Sequence, residues 1–201
     1  FSKPHGYLIV DIGAGTTDIA VISMGGIAAC DSFKTASFDF DTQIMKYIRK
    51  EYNIEIGALM AESIKKQIGT VVERPVEIAM VAKGRNVFTG LPESFEITSS
   101  EVYEAIKETA DSICNAIRSV LSKTDPELTS DINTDGLYLT GGGSLIHGMD
   151  KLISDYTGTT VHTLDDPTHS VVRGAAVALR KPELLKNVNY QLRSIKELSI
   201  E

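Results

Sequence analysis

Cysteine is scarce in this chain: Cys30 and Cys114 are the two in 201 residues. Neither belongs to a Cys-x-x-Cys pair or sits beside clustered histidines, so neither a disulfide framework nor a zinc site is supported, and a reducing, cytoplasmic setting fits best. Long apolar runs are missing as well. Stretches such as Tyr7-Leu8-Ile9-Val10 fall far short of the roughly 18 residues that a membrane-spanning helix needs, so no bilayer insertion is expected. Positive charge is in deficit, with 27 Asp and Glu against 20 Lys and Arg and a net charge of −7. No Lys/Arg run reaches the length of a polyanion-binding tail, which argues against nucleic acid as a partner and leaves nucleotide open. Internal repeats and low-complexity segments are absent. The opening Phe1-Ser2-Lys3-Pro4-His5-Gly6 has neither a starting Met nor an apolar signal core and reads as a cut end.

What is present is a globular composition, 42% hydrophobic and 23% charged, over a length that suits one large domain or one domain with a smaller one inserted. Strands are expected at 7–11, 17–23 and 27–33, short and rich in Val, Ile, Tyr and Phe, with Met24-Gly25-Gly26 as a hairpin turn and Gly13-Ala14-Gly15 joining the first two. Phe40, Ile44, Tyr47 and Ile48 recur at helical spacing over 39–52, with Asp39 and Asp41 at the end where negative charge suits the helix dipole. A second helix is expected over 57–68, then strands near 76–82 and 94–97, so that 53–98 reads as a small α+β insertion. Thr98-Ser99-Ser100-Glu101 is a capping box opening a long helix with the face Val102, Ile106, Ala110, Ile113, Ile117, Val120 and Leu121. Thr124-Asp125-Pro126 ends it and a polar loop follows. A strand at 136–140, a helix at 144–156, a strand at 159–163 and a helix at 169–179 complete an α/β pattern. The class predicted is α/β, a mixed sheet with flanking helices: a three-stranded meander extended by crossover strands. After Pro182, Leu185, Val188, Leu192 and Ile195 mark a short helical tail over 182–201.

Two glycine turns carry the candidate chemistry. Asp11-Ile12-Gly13-Ala14-Gly15-Thr16-Thr17-Asp18 lacks the third glycine of a dinucleotide loop and the Lys of a Walker A loop, and it leads into a strand. A small-residue turn between strands can still present backbone N–H groups to an anion, with Asp11 placed to hold Mg²⁺ directly or through water; an ordinary glycine hairpin is the other reading. Leu139-Thr140-Gly141-Gly142-Gly143-Ser144 lies between a strand and a helix, where consecutive glycines let a flat base or sugar approach the backbone. Glu62 and Lys65, three apart on one helix face, suit a ribose contact, and Glu62 with Lys65 or Lys66 equally suits an exposed ion pair. His5, His147, His162 and His169 show no ligand spacing and read as surface or packing residues.

In order, Asp-x-Gly-x-Gly-Thr-Thr-Asp, Ala-Glu-x-x-Lys and Thr-Gly-Gly-Gly-Ser resemble the actin, sugar-kinase and chaperone ATPase superfamily. Ala61 to Gly69, Lys83-Gly84-Arg85-Asn86-Val87-Phe88-Thr89-Gly90-Leu91-Pro92, Asp166-Pro167-Thr168 and Val172-Arg173-Gly174 bring the resemblance closest to the bacterial actin-like MreB family, along nearly the whole chain. Ala36-Ser37-Phe38-Asp39-Phe40-Asp41 stands where that family usually has Gly-Gly-Asp-x-Phe-Asp. The resemblance implies that Gly13, Ala14, Gly15, Thr16 and Thr17 bind the β- and γ-phosphates of ATP or ADP and that Asp11 positions Mg²⁺ or water. It further implies that Glu62 and Lys65 contact the ribose side and that Gly141, Gly142, Gly143 and Ser144 line the adenine pocket. Residues 1–52 and 99–181 would form the larger subdomain of the second actin half and 53–98 the smaller. The first phosphate loop, the hinge helix with its catalytic acid and the membrane-touching segments would precede Phe1, so little ATPase activity is expected of this chain alone. The family role is an ATP-dependent filament, whose partners are its own subunits and the cell-wall synthesis proteins it scaffolds on the inner membrane face. Two other readings are a non-polymerising binding module of the same fold and another ATPase of the superfamily, the latter disfavoured by Gly90-Leu91-Pro92.

Overall fold

The computed structural model describes residues 5–181; the apolar stripe 185–195 lies outside them. Along the chain run β1 (Tyr7–Ile12), β2 (Thr17–Ser23), β3 (Gly26–Phe33), α1 (Ser37–Tyr52), β4 (Ile54–Glu55), α2 (Ala58–Ile68), β5 (Ala79–Asn86), β6 (Pro92–Thr98) and α3 (Ser99–Leu121). They are followed by α4 (Pro126–Asp135), β7 (Leu137–Thr140), α5 (Met149–Thr157), β8 (Val161–Thr163) and α6 (Ser170–Arg180), with single 3₁₀ turns at Gly142–Leu145 and Pro167–His169. Among the described residues no helix is long and apolar enough to cross a membrane.

Five strands form one mixed sheet in the order β3-β2-β1-β7-β8. The meander β1-β2-β3 is antiparallel, while β7 joins β1 and β8 joins β7 in parallel, as crossover connections require. Period-two alternation sends Leu8, Val10, Ile12, Ile19 and Val21 into the core and leaves Tyr7, Ile9 and Asp11 partly exposed on the other face. The buried strand residues share one cluster with Phe40, Ile44 and Ile48 of α1 and Ile106, Ala110, Ile113 and Ile117 of α3. Each Val, Leu, Ile or Phe side chain so removed from water contributes about 1.5–3 kcal/mol against chain entropy. The predicted capping box forms: the Thr98 hydroxyl accepts from the Glu101 N–H at 3.3 Å, and the Glu101 carboxylate accepts from the Thr98 N–H at 2.9 Å. A smaller antiparallel sheet, β4-β5-β6, draws all its strands from residues 54–98.

Besides β4, which the sequence reading lacked, and β5, expected near 76–82 and found at Ala79–Asn86, two stretches differ from it. The expected polar loop is the helix α4, started by Pro126 at its first turn and held by Leu128 and Ile132, too few apolar residues to show a period. The expected helix 144–156 is broken. A tight turn at Gly142–Leu145 ends before α5, and between them the His147 carbonyl accepts from the Val71 N–H at 3.0 Å. Gly148 makes the crossing possible: its φ is +80°, and a Cβ there would lie 2.2 Å from Cγ2 of Val72.

Candidate functional site

A cleft of about 690 Å³ opens where the two glycine turns meet α2. The end of β1 contributes Asp11 and the β1–β2 turn Gly13 and Ala14; the start of α1 contributes Ser37 and Phe38; α2 and the segment after it contribute Glu62, Lys65, Lys66, Gly69 and Arg74. Gly141, Gly142, Leu145, Ile146 and His147 form the facing rim, with Pro167, Thr168 and Val171 beside them.

The first turn is anchored through its carbonyls. Gly13 donates to the Thr16 carbonyl at 2.9 Å, and the Gly13 and Ala14 carbonyls accept from the N–H groups of Ser37 (3.2 Å) and Phe38 (2.8 Å). The exposed N–H groups of Ala14, Gly15 and Thr16 donate no hydrogen bond within the described residues, which leaves donors for an anion. Gly13 and Ala14 line the cleft; Gly15 and Thr16 sit at the exposed tip, Thr16 giving its hydroxyl to Asp18 at 3.0 Å. Thr17 is fully buried, its hydroxyl donating to the Thr35 carbonyl at 2.7 Å, so its side chain braces the turn from within.

Asp11 lies in register with Asp18 on one side and Thr140 on the other. Burial, and then the neighbouring Asp18 charge, hold its carboxyl above the usual carboxylate range. A carboxylate in that position gains from a nearby cation. Within the described residues no cluster of three or more His, Cys, Asp or Glu could hold a metal by itself. A carboxylate beside a turn with free backbone N–H groups fits Mg²⁺, which usually takes one or two carboxylates, the phosphates and waters.

The second turn is pinned from behind. The Gly141 N–H and the Thr140 hydroxyl both donate to the Pro167 carbonyl, each at 3.0 Å. Gly141 and Gly142 face the cleft, whereas Gly143 packs against Ile12 and Ser144 is buried, its hydroxyl donating to the Gly141 carbonyl at 2.6 Å. Those two residues shape the rim from behind.

Of the alternatives open for α2, the Glu62 ion pair forms with Lys66, at 2.6 Å, and Lys66 holds the Glu62 carboxyl below its usual range. Lys65 turns the other way. Only 7% exposed, its ammonium donates to Asp41 Oδ2 at 2.8 Å, to the Ser37 hydroxyl at 2.8 Å and to the Ser37 carbonyl at 3.0 Å. His147 is exposed at the cleft rim, its Nδ1 lying 3.1 Å from the Thr70 hydroxyl. Sequence reasoning missed Phe38, Arg74, Leu145 and Val171 as lining residues. For Phe38, 62% exposed, the signal was an aromatic residue breaking the apolar period just ahead of Phe40.

Known proteins resemble this chain in sequence and fold. The family described as MreB/Mbl protein matches residues 1–187. The cell shape-determining protein Mbl of Bacillus cereus is 41% identical over 183 residues, 91% of this chain and 55% of that protein. Cell shape-determining protein MreB of Escherichia coli K12 is 38% identical over 178 residues, 89% of this chain and 51% of that protein. The chain therefore spans about half the length of the curated relatives it matches. Among solved structures, MreB5 of Spiroplasma citri bound to ADP superposes with a TM-score of 0.87 at 37% identity, over 92% of this chain and 57% of that one. A MamK double helical filament, at 23% identity and a TM-score of 0.72 over 87% of this chain and 54% of that one, shares the actin-like fold. With the family match covering nearly the whole chain and identities near 40%, the chain belongs to the MreB/Mbl family.

Proposed function

We propose that this chain forms one wall of the ATP-binding cleft of an actin-like filament protein that determines cell shape. The observation that carries the reading is convergence: Gly13-Ala14, Glu62 and Gly141-Gly142, far apart in sequence, line one cleft. The MreB5 structures bound to ADP and to AMPPNP support a nucleotide as the ligand, and the MamK filament supports self-association. Backbone N–H groups of the 13–16 turn would take the β- and γ-phosphates, Glu62 the ribose, and the glycine rim at 141–142 the adenine face. Asp11 would hold Mg²⁺, directly or through water, and the ion would offset phosphate charge there. Residues 1–52 and 99–181 act as the larger subdomain and 53–98 as the smaller, in keeping with the separate sheet of 54–98. In the cell the filament would lie in the cytoplasm at the inner membrane face, scaffolding cell-wall synthesis proteins. ATP turnover and assembly into filaments are assigned to the whole protein, so neither is expected of this chain alone.

A thermal scan tests the nucleotide site. If one wall binds with a dissociation constant near 1 mM, then 1 mM Mg-ATP adds about 0.4 kcal/mol and raises the melting temperature by roughly 1–2 °C. Gly142→Val or Glu62→Ala should abolish that rise. A shift that neither substitution alters, or none even at tenfold more nucleotide, would overturn the assignment.

A further inference from the structure

Lys65 borders the cleft three residues after Glu62, yet its ammonium points into the protein. An ammonium has three donors, and Asp41 Oδ2, the Ser37 hydroxyl and the Ser37 carbonyl occupy all of them. Asp41 is itself 6% exposed, and its Oδ1 is buried without a hydrogen-bond partner, so Lys65 is the one hydrogen-bonding partner of that carboxylate among the described residues. Swinging the ammonium toward a ligand would break three bonds and strand a buried charge. Lys66 carries no such constraint, being exposed and bonded to Glu62.

The other end of this network reaches the phosphate turn. The N–H groups of Ser37 and Phe38 donate to the carbonyls of Gly13 and Ala14. A continuous series of bonds thus runs from the β1–β2 turn through the first residues of α1 to Lys65, and so to the helix that carries Glu62. The Ser37 hydroxyl supplies one of the three acceptors.

We infer that Lys65 is a positioning residue: with Asp41 and Ser37 it forms a strut that fixes the spacing between the phosphate turn and the face of α2 that meets the sugar. This rests on the nucleotide reading above for its purpose, and on the hydrogen bonds alone for its existence. A displacement of the 13–14 turn by phosphate would pass through the strut to α2 and the 53–98 segment.

The test has two arms on the 201-residue chain, with Lys65→Met, the milder Ser37→Ala, and Lys66→Met as control. First, without nucleotide, amide exchange at Ser37 and Phe38 should quicken about tenfold in Lys65→Met and Ser37→Ala as that turn opens more readily, and stay unchanged in Lys66→Met. Unchanged exchange in Ser37→Ala and Lys65→Met overturns the strut. Second, dissociation constants for Mg-ATP and Mg-2′,3′-dideoxy-ATP are compared by NMR titration. A strut makes Lys65→Met weaken both nucleotides by the same factor, about tenfold if the geometry slips by an ångström. Weakening of ATP alone would make Lys65 a ribose ligand and overturn the inference. If the unsubstituted chain binds neither nucleotide, the nucleotide reading fails while the exchange arm still decides the strut, and should Lys65→Met not fold, Ser37→Ala carries both arms.

Discussion

A Cβ added to Gly141 would stand 2.4 Å from Oδ1 of Asp11 and 2.3 Å from the Ile12 carbonyl oxygen. The carboxylate of the first turn and the first glycine of the second, 130 residues apart in sequence, are thus packed together with no room for a methyl group between them. The φ of +86° at Gly141 excludes a side chain on a second, independent ground.

Gly141→Ala should therefore destabilise the fold itself. Left-handed strain and forced overlap together amount to about 3 kcal/mol, a fall of roughly 10 °C in melting temperature. Gly142 is its contrast, since a Cβ there meets nothing closer than Thr168 Cγ2 at 3.9 Å. Gly142→Val should melt within about 1–2 °C of the unsubstituted chain and lose only its response to Mg-ATP. Calorimetry of both variants, with and without nucleotide, separates the two effects.

Asp11 should trade stability for binding. Its folded-state pKa is raised by burial and by Asp18, so in a window opening at the unfolded value of about 4 and running upward the native state keeps a proton that the unfolded chain loses. The native state binds more protons there, so stability falls as pH rises through the window. Asp11→Asn should accordingly melt higher at pH 7, by on the order of a degree or two for a partly exposed group, and the gain should vanish as pH drops below about 4. The same variant should lose the Mg²⁺ dependence of its response to ATP. Melting curves across pH check the sign; an Asp11→Asn that is less stable at pH 7 contradicts it.

The two cysteines report on packing. Cys114 is fully buried in α3, where desolvation first and Asp111 second push its thiol up to about 12, whereas Cys30 is exposed on β3. A chromogenic disulfide reagent should modify one thiol quickly in the native chain and the second only with unfolding. Rapid modification of both would mean that α3 does not sit as described.

Where the chain signals through local chemistry, sequence alone was enough: the glycine turns, the capping box at Thr98, and the alternation that buries Leu8, Val10 and Ile12 all act within a few residues. What escaped it depends on partners distant in sequence. Glu62 and Lys65 share a face by spacing, yet Lys65 also falls on the buried stripe Ala61, Ile64, Ile68, and only the tertiary placement of Asp41, 24 residues earlier, says which environment wins. The helix α4 escaped because Leu128 and Ile132 are a single period. Arg74 and His147 join the cleft because the chain crosses itself at Thr70 and His147, a long-range bridge that no local pattern encodes.

In the function proposed above, three separate segments of this chain form one nucleotide-binding wall. An NMR titration of the ¹⁵N-labelled chain with Mg-ATP tests it most directly, because every amide reports its own position. Saturable shifts are expected at 13–16, 62–69 and 141–147, absent with Mg²⁺ alone and lost in Gly142→Val. Shifts gathered elsewhere, or at one of the three segments without the other two, would contradict it.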